Sequence, residues 1–499
     1  MQHSSLDNLQ LENAELKASL VKANAQIAWF KEQFKLLRQR QFGRQTEKTE
    51  VIQLALFDEF EADEVTEKVE PISEEKEQVT YERKKSKKNG RNIDTSILPR
   101  ERLVHDLPED KKVCTCGCAL EKIGQDSSEQ LEFIPAQIKV IEHIRPKYTC
   151  RQCETIMSAP KPEQPIAKCL AAASLITEVI IKKYDHHVPL YRQSAIFAQD
   201  GIDISDNTLG NWVMQSTEWL YPLSIALWEQ VAAIHYLQVD ETPVKILHPE
   251  KKAYMWAYHS LDKDNRFILF DFNLSRASQV VNSRLQNFKG ILQTDGYGGY
   301  NTLRENPDIV SLGCWDHSRR KFVEAIKICN DNTQGIAGQL LTAINKLYKI
   351  ERQYKEAHPN QRHQARQKEA KPLLETIFEK ASKASVLPKS VVGKAIAYLL
   401  NNQLYLAEYI HHPHAQLSNC LVENLIRPFA LGRKNWLFVG NEVCAQKSAL
   451  LYSLIQTCKL NHINPRNYFN YVLMQVHAMR RNEIEPKALL PQFIDLALL

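Results

Sequence analysis

The sequence predicts a multidomain α+β protein organised around a single mixed sheet. Three observations predict it. Strand-like runs crowd between residues 236 and 317, and the chain after them has mostly helical texture. The N-terminus carries a heptad seam rather than a globular pattern. Five of the eleven cysteines fall between 114 and 153. With 499 residues, 43% of them hydrophobic, the chain has the length for about two to four domains with real cores.

Charge and targeting signals exclude some classes. Lys and Arg number 64 against 59 Asp and Glu, a net of +5. That excess permits a nucleic-acid partner without arguing for one, so distribution matters more. No run of 18 apolar residues marks a membrane span, and "MQHSSLDNLQLENAELKASL" lacks the apolar core of a signal peptide. A soluble, reducing, cytoplasmic setting without a membrane partner is expected. The six cysteines at 169, 314, 329, 420, 444 and 458 are scattered, unlike a secreted disulfide framework.

Element by element, residues 1–45 read as a coiled-coil oligomerisation helix. Leu9, Asn13, Leu16, Leu20, Ala23, Ile27, Phe30, Phe34 and Leu37 alternate by four and three, with Asn13 as a register device. A helix packed on its own chain is the alternative. Residues 46–95 read as a charged linker. Its first part, 46–80, holds twelve acidic residues and three lysines. "ERKKSKKNGRN" then reverses the sign, as a solvated linker or a phosphate contact.

Residues 96–160 hold the metal-like cluster. "VCTCGCAL" supplies Cys114, Cys116 and Cys118, and "YTCRQCET" supplies Cys150 and Cys153 at knuckle spacing. Four of the five suit a tetrahedral structural Zn2+, because four thiolates leave no open position for chemistry. Cys114 and Cys116 are the preferred left-hand pair, with Cys118 as substitute. Residues 165–230 read as a helical, helix-turn-helix-like DNA-binding region. Pro189 and Asp206 look like helix starts and Gly201 like the break between them. Three packed helices without a DNA role fit that pattern nearly as well.

From 235 the texture changes. "YLQVDETPVKIL", "KAYMWAYHS" and "RFILFDFNLS" read as three hairpin-spaced strands. A helix-like "ASQVVNSRLQNF" and the short strands "GILQTDGYGG" and "DIVSLGCWDH" follow. This is the ribonuclease-H-like order, expected over 233–440 with a helical insertion at 325–413. A C-terminal helical region occupies 441–499. In that order the first and fourth strands are parallel neighbours, which would bring Asp240 near Asp295.

A carboxylate in the middle of a strand costs several kcal/mol unless it is paired, holds a cation or does chemistry. Asp240 and Glu241 raise that question. Asp295, before "GYGGY", lies 55 residues after Asp240, and Glu423 lies 128 residues later in a helix-like stretch expected to run through Ala430. Taken singly, Asp240 has the lesser alternative of a strand-end turn residue, Asp295 reads equally as a turn residue, and Glu423 reads more readily as a solvated helix face. Together, three carboxylates are what two divalent cations need for in-line phosphoryl transfer, with Mg2+ the natural ion and Mn2+ its substitute. Arg319, Arg320 and Lys321, and Arg427, Arg433 and Lys434, are expected to border the carboxylates as DNA-phosphate clamps, with a salt-bridge role as the alternative. Trp436 reads as a base-stacking residue or, more simply, as a core residue.

The motifs "LLRQRQFGRQTEK", "VDETP", "TDGYGGYN", "GCWDHSRRKF" and "ENLIRPFALGRKNWLF", in this order, resemble bacterial transposases of the insertion-sequence sixty-six family. The cysteine-rich and helical segments match as well. The resemblance implies an Asp-Asp-Glu triad at Asp240, Asp295 and Glu423. It also implies a Cys-x-x-His signature at Cys314 and His317, where His317 would orient phosphate or water, or brace the fold. Asp316 departs from the small residue expected there. The implied function is a nucleoid-associated, Mg-dependent DNA transposase. It would cleave its terminal inverted repeats and join them to target DNA, as a homodimer or higher assembly, with accessory proteins of the same element. The rival is a catalytically inactive DNA-binding regulator derived from a transposase.

Overall fold

A computed structural model describes residues 138–149, 156–160, 162–248, 250–329 and 335–499, with Lys17, Ile27, Phe30 and Lys31 of the N-terminal segment. Ile27 and Phe30, both on the expected seam, are helical and exposed. The rest of the seam, both linker stretches, and Cys114, Cys116, Cys118, Cys150 and Cys153 lie outside the described residues. The chain divides into two compact units, 60–161 and the remainder. In the first, β1 (Lys147–Thr149) and β2 (Ile156–Ser158) pair antiparallel. The segment between them carries Cys150 and Cys153.

The second unit begins with α1 (Ala173–Tyr184), α2 (Leu190–Gln199) and α3 (Asp206–Val231). Pro189 caps α2 and Ser205 caps α3, its side chain accepting from Thr208 N at 3.2 Å. Gly201 sits at φ +79°, the left-handed turn that glycine adopts without cost. Leu209, Trp212, Val213, Leu220, Leu223 and Leu227 form the buried stripe of α3.

The sheet comprises β3 (Tyr236–His248), β4 (Glu250–Ser260), β5 (Ile268–Asn273), β6 (Gly290–Gln293), β7 (Ile309–Leu312) and β8 (Val439–Asn441). Its order is β5-β4-β3-β6-β7, with β8 paired to the far end of β3. The first three strands are antiparallel, while β6 and β7 run parallel to β3. The parallel step from β3 to β6 is reached through β4, β5 and the short α4 (Ser278–Arg284), since parallel neighbours need a crossover. The expected adjacency of the first and fourth strands is therefore present.

Beyond β7 come α5 (Trp315–Cys329), α6 (Ile336–Gln353), α7 (Lys371–Ser382) and α8 (Val391–Asn401), with shorter helical pieces between α6 and α7 and after α8. They close a second core around Trp315, Phe322, Leu340, Ile344, Ile377 and Leu399. The buried guanidinium of Arg366 pins it, bonding Glu351 at 2.6 and 2.8 Å and the carbonyls of Tyr409, His412 and Ala415. A buried charge is tolerable when its donors are satisfied in this way.

The chain then returns through α9 (Cys420–Trp436), α10 (Glu442–Leu460) and α11 (Pro465–Arg480). The expectation that α9 fades at Ala430 is corrected: it runs through Pro428 to Trp436. Burial of Val422, Ile426, Phe429 and Gly432 on one face offsets the hydrogen bond that Pro428 removes. Trp436 packs edge-on against Phe429, with ring centroids 5.5 Å apart, and belongs to the core. Helix α10 covers the edge strand β5: Ser453 Oγ accepts from Phe270 N at 2.7 Å and Thr457 Oγ1 from Ile268 N at 3.2 Å. Helices α1–α3 and α9–α11 share one apolar core with the sheet. No described helix is long and apolar enough to cross a membrane.

Candidate active site

The site is built by two strands with the same local sequence. Leu237-Gln238-Val239-Asp240 lies in β3, and Leu292-Gln293-Thr294-Asp295 begins in β6 and leaves it. Gln238 is registered opposite Gln293 in the parallel pair. Each aspartate therefore lies two residues past a registered partner, at the same end of adjacent strands.

The glutamines clamp the third element onto this edge. Both are fully buried. Gln238 Nε2 donates to Gln293 Oε1 (2.8 Å) and to the carbonyl of Ser418 (3.0 Å). Its Oε1 accepts from Val422 N (3.2 Å), next to Glu423 in the first turn of α9. Tyr236 Oη donates to Gln293 Oε1 (2.6 Å) and accepts from Gln416 N (2.9 Å). Gln293 Nε2 donates to the carbonyls of Gly313 (3.1 Å) and Gln416 (2.9 Å). Buried amides and hydroxyls must be satisfied, and here satisfaction fixes two strands and a helix in one register. The three residues were missed as functional in the sequence, although the repeated Leu-Gln-x-Asp was a visible signal.

Asp240 accepts one described hydrogen bond, from the backbone N–H of Glu241 at 2.9 Å. Burial pushes its carboxyl well above the usual range, and the charges of Glu241, Glu423 and Asp295 push the same way. Glu241 is different. It takes Arg276 Nε at 2.6 Å and the Tyr300 hydroxyl at 2.7 Å, and the Arg276 guanidinium stacks 3.8 Å from the Tyr297 ring. Of the two neighbouring acids, one is paired and one is crowded by carboxylates alone.

Asp295 Oδ1 accepts from Tyr297 N at 2.9 Å, and its carbonyl from Arg304 at 2.5 Å. Gly296 is required by a close approach. A Cβ there would meet the Tyr398 ring at 2.5 Å, and its N–H donates to Tyr398 Oη at 3.1 Å. Glu423 Oε2 accepts from Arg320 at 2.5 Å, and its Oε1 lies 3.7 Å from His317 Nδ1. Both of the latter atoms are buried without a hydrogen-bond partner. Cys314, His317 and Glu423 offer ligand atoms within 4.8 Å of one another.

The basic clusters do not all reach the carboxylates. Arg320 does. Arg319 donates to Asn345 at 2.8 Å on the insertion side, and Lys321 lies 4.8 Å from the Tyr398 ring centroid. Arg433 bonds Thr242 Oγ1 (3.2 Å) and the Pro243 carbonyl, farther along β3. Arg427 is half-buried and Lys434 exposed on α9. The extra acid Asp316 is buried and accepts a hydrogen bond from the Tyr348 hydroxyl, so a protein donor already occupies it.

Comparison with known proteins places this geometry in a family. The model described as Transposase IS66 family matches residues 168–447. The zinc-finger binding domain of transposase IS66 matches 111–154, and the IS66 C-terminal element matches 453–492. A model described as Transposase C of IS166 homeodomain matches 29–103. The chain belongs to the IS66 transposase family. Among similar proteins of Sinorhizobium fredii (strain NBRC 101917 / NGR234), uncharacterized protein y4jD is 31% identical over 78% of this chain and 79% of its own length. Uncharacterized protein y4qI is 29% identical over 96% and 91%.

Proposed function

We propose that this chain is a metal-dependent DNA transposase with a ribonuclease-H-like core and Asp240, Asp295 and Glu423 as its catalytic carboxylates. The observation that carries the reading is the convergence of two registered strand ends and the first turn of α9, which leaves Asp240 among carboxylates, with no basic side chain beside it among the described residues. Strand order β5-β4-β3-β6-β7 supports the core assignment.

The crowding of Asp240 and the unpartnered Glu423 Oε1 fit a divalent cation site. Asp240, Asp295 and Glu423 would hold Mg2+ or Mn2+, which supplies activation of the attacking oxygen and charge stabilisation of the leaving one. Water attacks phosphorus at an element end, the P–O3′ bond breaks, and the departing oxygen takes up a proton as a 3′-hydroxyl. That hydroxyl then gives up its proton and attacks a target phosphorus, releasing a target 3′-hydroxyl. Gln238 and Gln293 keep the carboxylate-bearing elements in register. Arg320 and His317 hold Glu423 from α5, and Arg319, Lys321, Arg427, Arg433 and Lys434 supply cations for the backbone.

Incubating the full-length protein and Mg2+ with DNA bearing the element's ends tests the reading. Strand cleavage exposing 3′-hydroxyls is expected. Binding without cleavage in either Mg2+ or Mn2+ would favour the inactive regulator. The cysteine segment is proposed to hold one structural Zn2+ through four of its five thiolates. Metal analysis should find one zinc per chain, lost on Cys150→Ser with Cys153→Ser.

A further inference from the structure

We infer that Cys314, His317 and Glu423 bind a thiophilic divalent cation of the Zn2+ class, and that this cation competes with Mg2+ for Glu423. The competition rests on the transposase reading, whereas the binding does not. Cys314 directly precedes α5 and His317 is its third residue, so the spacing of three puts both on one face of the first turn. Glu423 comes from the first turn of α9. Sulfur, imidazole nitrogen and carboxylate oxygen lie within 4.8 Å of one another, and His317 Nδ1 is 3.7 Å from Glu423 Oε1. Donor atoms around a tetrahedral zinc are about 3.3–3.6 Å apart, so side-chain shifts of about 1 Å close the set.

Helix capping accounts for only part of this arrangement. The Cys314 sulfur accepts from the backbone N–H of Asn419 at 3.5 Å and from that of His317. Two amides at a helix N-terminus suit a sulfur that carries negative charge, as a metal-bound thiolate does. Capping would explain the sulfur alone. It leaves His317 Nδ1 and Glu423 Oε1 side by side, buried and without a hydrogen-bond partner among the described residues. Asn419, fully buried, has neither side-chain amide atom paired among them. A cation that takes sulfur, nitrogen and oxygen together satisfies both the imidazole and the carboxylate. It replaces the thiol proton, which leaves to solvent.

Donor chemistry separates the two ions. Thiolate and imidazole select Zn2+ or Co2+, while carboxylates and water suit Mg2+. Glu423 is the one residue common to both sets. Its Oε2 accepts from Arg320 at 2.5 Å and its Oε1 faces His317. With Oε1 on the soft cation, both oxygens are engaged toward α5, and the carboxylate cluster at Asp240 and Asp295 loses its third member.

The test uses full-length wild type, Cys314→Ser and His317→Gln, titrated with Co2+ as the probe. Serine keeps an acceptor for the two backbone amides, so Cys314→Ser should melt near the wild type. The wild type should take up one Co2+ more than Cys314→Ser. The difference spectrum should show a sulfur-to-cobalt charge-transfer band that Zn2+ removes and excess Mg2+ does not. Co2+ exchanged into the cysteine segment is common to all three proteins and cancels. His317→Gln should keep the band and bind at least about tenfold more weakly, which tests the site even if Cys314→Ser fails to fold. In a cleavage assay, Zn2+ at about ten times its Kd should raise the Mg2+ needed for half-maximal rate by about tenfold in the wild type. It should leave the Mg2+ requirement of Cys314→Ser unmoved. Equal Co2+ uptake and equal spectra for the wild type and both variants would overturn the site. The extra Co2+ without a zinc effect on an active wild type would overturn the competition. A wild type that binds the extra Co2+ yet cleaves no end-bearing DNA in Mg2+ or Mn2+ would overturn the transposase reading alone.

Discussion

Asp271 and Glu241 on one side and Asp240 on the other are buried acids treated in opposite ways. On β5, Asp271 is met by Arg284 through two bonds of 2.8 Å each. Glu241, facing the same side of the molecule as Arg276, is met by that arginine and by Tyr300. Among the described residues, Asp240, next to Glu241, has a single backbone donor and three acidic neighbours. A fold can neutralise buried carboxylates, as this one does at Asp271 and Glu241. Asp240 is therefore the informative acid, because a buried carboxyl crowded by other carboxylates fits a site that an external cation completes.

The sharpest break of that comparison is to neutralise the three clustered acids one at a time. Asp240→Asn, Asp295→Asn and Glu423→Gln should each lower strand cleavage by at least about a thousandfold, on the order of 4 kcal/mol of barrier. DNA binding should persist. Asp240→Asn should melt at or above the wild-type temperature, since it removes a repulsive buried carboxyl. Cleavage rates at saturating DNA and Mg2+, together with melting curves, check both halves. Wild-type cleavage by any one variant removes that residue from the triad.

Arg284→Ala asks the converse question of a paired acid. It leaves Asp271 buried without its cation, which should cost about 3 kcal/mol of stability, with the rate per folded molecule unchanged. Denaturant unfolding beside a cleavage assay distinguishes this from the triad variants, whose losses fall on rate.

The clamp sits between the two extremes. Gln238→Leu should strand the partners of a buried amide and cost about 2 kcal/mol. It should also loosen the register between Asp240 and Glu423, lowering cleavage by about ten- to a hundredfold. A raised Mg2+ requirement would mark positioning, because a merely structural loss would leave the metal dependence unmoved.

Much of this was legible in the sequence for identifiable reasons. Hairpin-spaced strands followed by a helix and two short strands carried the sheet order, and the neighbouring first and fourth strands carried the approach of Asp240 to Asp295. The basic clusters were not legible as groups. Arg319 and Arg320 are adjacent letters, yet adjacent helical residues point about 100° apart. His317 and Arg320, three apart, share a face and meet Glu423, while Arg319 turns to Asn345. The fate of Glu241 depended on Arg276 and Tyr300, which a local pattern does not connect to it. The extent of α9 was misjudged because the apolar face that carries it past Pro428 was outweighed by the proline.

The smallest effect concerns a third way of burying a titratable group, which is to keep it neutral. His259 on β4 is buried, and its Nδ1 lies 3.0 Å from the Phe267 carbonyl. Burial pulls its pKa down to about 4 from 6.5. The unfolded chain therefore binds a proton that the folded chain refuses between those values, and stability must rise with pH across the window. The neutral imidazole's contribution is complete above about pH 6.5 and is lost as pH falls toward 4. Asp240, Glu241 and Asp271, whose pKa values are raised, act in the opposite sense, so the raw stability profile mixes both. His259→Asn isolates one of them, because the amide can still donate to the Phe267 carbonyl but does not titrate. Relative to that variant, the wild type should lose about 1 kcal/mol between pH 8 and pH 5.5. Parallel profiles would mean that His259 takes up its proton in the folded sheet, and that neutrality is not how β4 accommodates it.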